Sequence, residues 1–77
     1  MGVERSKVEE TIRAFLHRAR KPTDFTPETV LYADGLGLDS LEAAELSVAL
    51  EDAFDTDPFS ASDVPPTTIG EVLDFYA

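Results

Sequence analysis

The chain has no cysteine, a single histidine, and no lysine or arginine beyond position 21. Each shortage removes a class of function. Without cysteine there is no disulfide to staple the fold and no thiolate cluster for a metal, so 77 residues must rely on helix packing. His17 follows the apolar pair Phe15-Leu16 and reads as a surface or helix-end residue near Arg18 and Arg20. A serine nucleophile therefore has no evident general base, and the Gly-x-Ser-x-Gly elbow is missing. No stretch approaches the roughly 18 consecutive apolar residues of a spanning helix, and the N-terminus lacks the apolar run of a signal peptide. A cytoplasmic, monomeric protein that is not an enzyme and does not insert into membranes is the expectation.

The scarcity of basic residues is positional. All six (Arg5, Lys7, Arg13, Arg18, Arg20, Lys21) lie in the first 21 positions beside Glu4, Glu9 and Glu10, and the other 13 acids fill residues 22–77. A surface of one negative sign argues against nucleic acid and for partners with basic patches. Asp24, Glu28, Asp63 and Asp74 read as solubilising charges. Asp55-Thr56-Asp57-Pro58-Phe59 lacks the glycine and terminal glutamate of a calcium loop, so no metal site is expected. Met1-Gly2-Val3-Glu4-Arg5-Ser6 matches the N-myristoylation pattern, but so short a motif recurs by chance and an acidic chain gains little at an anionic membrane.

What is present is helical periodicity. Val8, Ile12, Phe15, Leu16 and Ala19 form one stripe and predict a first helix over about 4–20, ended by Lys21-Pro22. Residues 22–38 read as a loop anchored by Phe25, Val30, Leu31, Tyr32, Leu36 and Leu38, with a short turn at Pro27–Tyr32 and with Gly35 and Gly37 supplying conformations costly for other residues. A second helix is predicted over about 40–54, its apolar face built from Leu41, Ala44, Leu46, Val48, Leu50, Ala53 and Phe54, and closed by Asp55-Thr56-Asp57-Pro58. Phe59 to Pro66 allows one helical turn capped by Ser60 or Ser62. Thr68 caps a last helix carrying Ile69, Val72, Leu73 and Tyr76, with Glu71 at the capping-box position. The fold class is all-α: a small four-helix bundle, three main helices plus a short third, with a long loop between helices one and two, in a single domain over 1–77.

Asp39 and Glu42 are spaced for a capping box that makes Ser40 the first helical residue, pointing outward beside unsatisfied backbone donors where a phosphate ester is tolerated. Leu36-Gly37-Leu38-Asp39-Ser40-Leu41, continuing through Glu45-Leu46, Ala49-Leu50-Glu51 and Phe54-Asp55, resembles the acyl carrier protein family, and the likeness covers most of the chain.

The resemblance implies that Ser40, flanked by Asp39 and Leu41, carries a covalent 4′-phosphopantetheine arm donated by coenzyme A through a phosphopantetheinyl transferase. The arm's thiol would hold acyl intermediates as thioesters, and a chain without cysteine offers no competing side-chain thiol. Glu42 and Glu45, one turn apart beside the serine, match acidic docking positions of the family; Glu51 and Asp52 extend that surface, and Leu41 and Val48 add apolar contact. The implied partners are an acyltransferase or acyl-activating enzyme, a ketosynthase, and other enzymes with basic patches. Ala44 and Ala49 are small enough to leave room for cargo between helices. Pro58-Phe59 and Pro65-Pro66 depart from the family pattern around helix three, one wall of the family's acyl pocket.

Gly37-Leu38-Asp39-Ser40-Leu41 resembles polyketide carriers, whereas Ala49-Leu50-Glu51 and Phe54-Asp55-Thr56 resemble discrete fatty-acid carriers. A discrete carrier of a polyketide or other specialised pathway reconciles both, and Met1 without long flanking linkers fits a separate protein. The alternatives are a peptidyl carrier, whose usual Gly-Gly-x-Ser pattern is absent, and an unmodified acidic helical module that regulates a basic enzyme.

Overall fold

A computed structural model describes residues 2–61 and 63–77. Among these there are four α-helices, Arg5–Arg18 (α1), Ser40–Phe54 (α2), Pro58–Ala61 (α3) and Ile69–Tyr76 (α4), and no strand beyond an isolated antiparallel bridge between Val30 and Thr68. The all-α bundle with a long first loop is as the periodicity predicts. None of these helices is long and apolar enough to cross a membrane.

Helix α1 buries Val8, Ile12, Phe15 and Leu16, the stripe read from the sequence. Its end differs from expectation: the stop is not the proline but Arg20, which takes a left-handed conformation at φ 60°. The Arg20 N–H donates to His17 O at 3.2 Å and the Lys21 N–H to Leu16 O at 2.8 Å, a Schellman closure that satisfies the last carbonyls two residues before Pro22.

The long loop is bonded rather than loose. Thr29 N–H closes a turn on Thr26 O at 3.0 Å, and the loop is then stitched to the start of α4: Leu31 N–H to Thr67 O at 2.9 Å, Ile69 N–H to Thr29 O at 3.0 Å, Gly70 N–H to Pro27 O at 2.8 Å. Leu31, Leu36 and Leu38 are its buried anchors, Phe25 and Tyr32 are half-buried, and Val30 is exposed. They join Leu46 and Leu50 of α2 and Ile69, Val72, Leu73 and Tyr76 of α4 in one core with α1, whose burial is the main favourable term in so small a fold.

Two readings of the second half are corrected. Leu41, Ala44, Val48 and Ala53 do not belong to the buried face of α2; all four are exposed, and Ala43, Leu46 and Leu50 are the buried set. Both sets repeat at helical spacing, so periodicity alone could not choose between them. Ala44, on the outside, leaves no interior room for cargo, whereas Ala49 is half-buried. In the connection, Pro58 is the first residue of α3, where its missing N–H costs nothing. Asp57 and not Ser60 supplies the cap, accepting the Phe59 and Ser60 amides at 2.9 and 3.0 Å; Ser62, the other proposed cap, lies outside the described residues. Thr68 and Glu71 form the expected capping box of α4.

Candidate functional site

The candidate site is the junction between the loop and α2. Gly37 turns the chain at φ 72°, and Leu38 follows as a core residue whose N–H donates to Leu31 O at 3.0 Å. Asp39 is the N-cap: its Oδ1 accepts the Glu42 N–H at 2.8 Å while Glu42 Oε1 accepts the Asp39 N–H at 3.1 Å, the reciprocal box predicted from the spacing. Ser40 is the first helical residue, held between buried Leu38 and buried Ala43, and it is exposed. Among the described residues nothing hydrogen-bonds its Oγ, so esterifying that oxygen breaks no internal bond. The N-terminus of a fifteen-residue helix beside it favours negative charge. The donor chemistry fits a phosphodiester.

At about 100° per residue, Leu41, Glu45, Val48 and Asp52 fall in one narrow stripe along α2. All four are exposed, Leu41 at 67% and Val48 at 59%, and Glu51 flanks them. The stripe begins next to Ser40 and alternates apolar and acidic groups. Glu42 is turned away from it. Its Oε1 lies 3.3 Å from Lys21 Nζ, and that ammonium also donates to Gly37 O at 3.1 Å. The structure thus sets Glu42 apart from the other predicted docking acids.

Lys21 was not among the residues singled out from the sequence. Its placement comes from the left-handed stop at Arg20, and no local pattern announces a contact with a residue 21 positions on. His17 is exposed on α1, and the described residues contain no group of three His, Cys, Asp or Glu side chains able to hold a metal.

A helical bundle that displays a hydroxyl at the start of a capped helix, with an exposed stripe of apolar and acidic residues beside it, has the makings of a carrier domain. A family model described as the phosphopantetheine attachment site matches residues 6–75, and the chain belongs to that family. It is a phosphopantetheine carrier protein, of a family whose members bear covalent 4′-phosphopantetheine and serve biosynthetic enzymes rather than catalyse reactions themselves. Searches of curated proteins and of solved structures find no match.

Proposed function

We propose that Ser40 is the attachment point of the arm and that the chain is an acyl carrier, working in the cytoplasm for polyketide or fatty-acid-type biosynthesis. The observation that carries this reading is the Ser40 Oγ itself: exposed, unbonded among the described residues, and fixed by buried neighbours on both sides. Ser47, by contrast, gives its hydroxyl to Asp57 at 2.8 Å, and Ser6, though exposed near the start of α1, follows an N-cap, Glu4, that makes no side-chain cap bond. When attached, the arm supplies a thiol that holds an acyl group as a thioester. The chain's own residues present that arm, and the tether raises the local concentration of cargo at each partner.

Leu41, Glu45, Val48, Glu51 and Asp52 are the surface we assign to docking on basic partners: the transferase, an acyltransferase or acyl-activating enzyme, and a ketosynthase. Exposed acids beside apolar side chains suit encounters that are fast, salt-sensitive and readily reversed. Incubation with coenzyme A and a promiscuous phosphopantetheinyl transferase, followed by intact mass, tests the assignment. One added arm on the wild-type chain and none on Ser40→Ala is the expected result; an unmodified wild type beside a modified control carrier overturns it. Loading by an acyltransferase rather than by an amino-acid adenylating enzyme separates acyl from peptidyl carriage.

A further inference from the structure

We propose that Lys21 is a positioning residue for Ser40, and that it withdraws Glu42 from the acids a basic partner can read. The inference rests on Ser40 as the attachment point. Lys21 is the residue after the left-handed Arg20, and its own N–H is spent on Leu16 O at 2.8 Å, so its backbone is fixed to the end of α1. From there the ammonium makes two contacts that bracket the serine: Gly37 O at 3.1 Å, three residues before it, and Glu42 Oε1 at 3.3 Å, two residues after it. The same Oε1 accepts the Asp39 N–H at 3.1 Å. One carboxylate oxygen therefore serves both the cap of α2 and the tie to α1.

The tie restrains a segment that could otherwise pivot. Gly37 sits at φ 72° and a Cβ built on it would find only Ala33 O, at 3.8 Å, so the backbone there is open on that side. Sequence-adjacent restraints come from Leu38 inside the core and from the capping box; Lys21 adds the cross-link from another helix. The side chains of Lys21 and Glu42 are only 26% and 21% exposed, which shields the pair from solvent and salt more than an ordinary surface pair. A partner's lysine or arginine that sought Glu42 would compete with Lys21 for a carboxylate already shared with the cap of α2. Among the described residues, none places a cation on Glu45, Glu51 or Asp52, and all three are exposed.

Lys21→Met separates these roles from a general loss of stability. In the unmodified protein, hydrogen exchange at the Asp39 amide should quicken while core amides such as Leu50 keep their protection. In arm transfer by the promiscuous transferase, kcat should fall about threefold to tenfold, whereas KM should stay level or drop because Glu42 is unmasked. Lys21→Arg, which keeps the charge and the donors, should restore most of kcat. Adding Glu42→Gln to Lys21→Met should cost little more than either change alone, since both break one contact.

An unchanged kcat with unchanged Asp39 exchange overturns the proposal. So does a loss confined to KM, which would make Lys21 a docking residue, or losses for Lys21→Met and Glu42→Gln that multiply. A wild-type chain that accepts no arm overturns the Ser40 reading itself. A wild type that is modified normally beside an indifferent Lys21→Met overturns the Lys21 proposal alone.

Discussion

The Ser47 hydroxyl donates to Asp57 Oδ1 at 2.8 Å, joining the middle of α2 to the residue that caps α3. That oxygen also accepts the Phe59 and Ser60 amides, and Asp57 is 2% exposed. Hydrogen bonds to a charged acceptor are the strong ones, and a buried carboxylate removed from three donors leaves all three unsatisfied. Asp57→Ala should therefore cost about 3 kcal/mol and lower the melting temperature by roughly 15 °C, whereas Ser47→Ala should cost about 1 kcal/mol. Thermal melts of the two variants check the ranking; equal losses would show that the aspartate does not organise α3.

Gly35 and Gly37 are two residues apart but are required for different reasons, which their alanine variants should expose. At Gly35 the backbone crosses Val30 so closely that an added Cβ would overlap the Val30 carbonyl oxygen. Backbone must shift, and the Leu36 N–H to Val30 O bond of 2.8 Å goes with it. Gly35→Ala should cost about 3 kcal/mol. Gly37→Ala meets only an ordinary contact with Ala33 O at 3.8 Å and a left-handed φ, and should cost only about 1 kcal/mol. Denaturant titration of both, read as midpoint at constant slope, distinguishes crowding from backbone conformation.

That distinction marks where the sequence was legible. Asp39 with Glu42, and Thr68 with Glu71, announce the starts of α2 and α4 because a capping box is closed within four residues. Ser40's placement at the first helical position follows from the same spacing. The apolar stripe of α1 was equally plain, since its buried face is narrow and its other face charged. What could not be read depends on contacts that no local motif names: the crossing of Gly35 over Val30, the bond from Ser47 to a cap ten residues on, and Lys21 reaching Gly37 and Glu42. The stop at Arg20 has no local signature, because arginine carries no intrinsic preference for a left-handed φ, unlike glycine or asparagine. On α2, too many apolar residues fit one face, and only tertiary packing decided between them.

Alkaline titration should report on Tyr76. Its hydroxyl donates to Thr56 O at 2.7 Å, its ring lies 5.0 Å from those of Phe54 and Phe75, and it has no exposed surface. Burial, with the negative charges of Asp57 and Glu51 adding to it, pushes the phenol well above its ordinary value of 10.0. A raised value means that the folded state keeps a proton the unfolded state gives up, so the contribution is complete below pH 10 and is lost as the pH climbs beyond it. Tyr76→Phe should be about 1 kcal/mol less stable than wild type at neutral pH, from the lost bond and the orphaned carbonyl. The gap should narrow above pH 10. Chemical denaturation at pH 7, 9 and 10.5 measures it, and a gap that widens would contradict the sign.

The decisive test of the proposed docking face compares apolar residues on one helix. Leu41 is 67% exposed and Val48 59%, whereas Leu46 and Leu50 have no exposed surface. Truncating a buried leucine leaves a cavity and removes transfer energy, about 2–5 kcal/mol, a large part of what a domain this size possesses. Leu46→Ala and Leu50→Ala should therefore melt far below wild type. Leu41→Ala and Val48→Ala should stay within about 0.5 kcal/mol of it, yet slow arm transfer about fivefold through kcat/KM, because an apolar anchor beside Ser40 is removed from the encounter. Glu45→Gln and Asp52→Asn should act on the same rate and flatten its dependence on salt, since each removes an exposed charge from the stripe. Asp24→Asn, on the loop, should leave the rate where it was. Melting of Leu41→Ala at the temperature of Leu46→Ala would mean that α2 is rotated from the orientation described, and wild-type rates for Leu41→Ala and Val48→Ala would move the docking surface elsewhere.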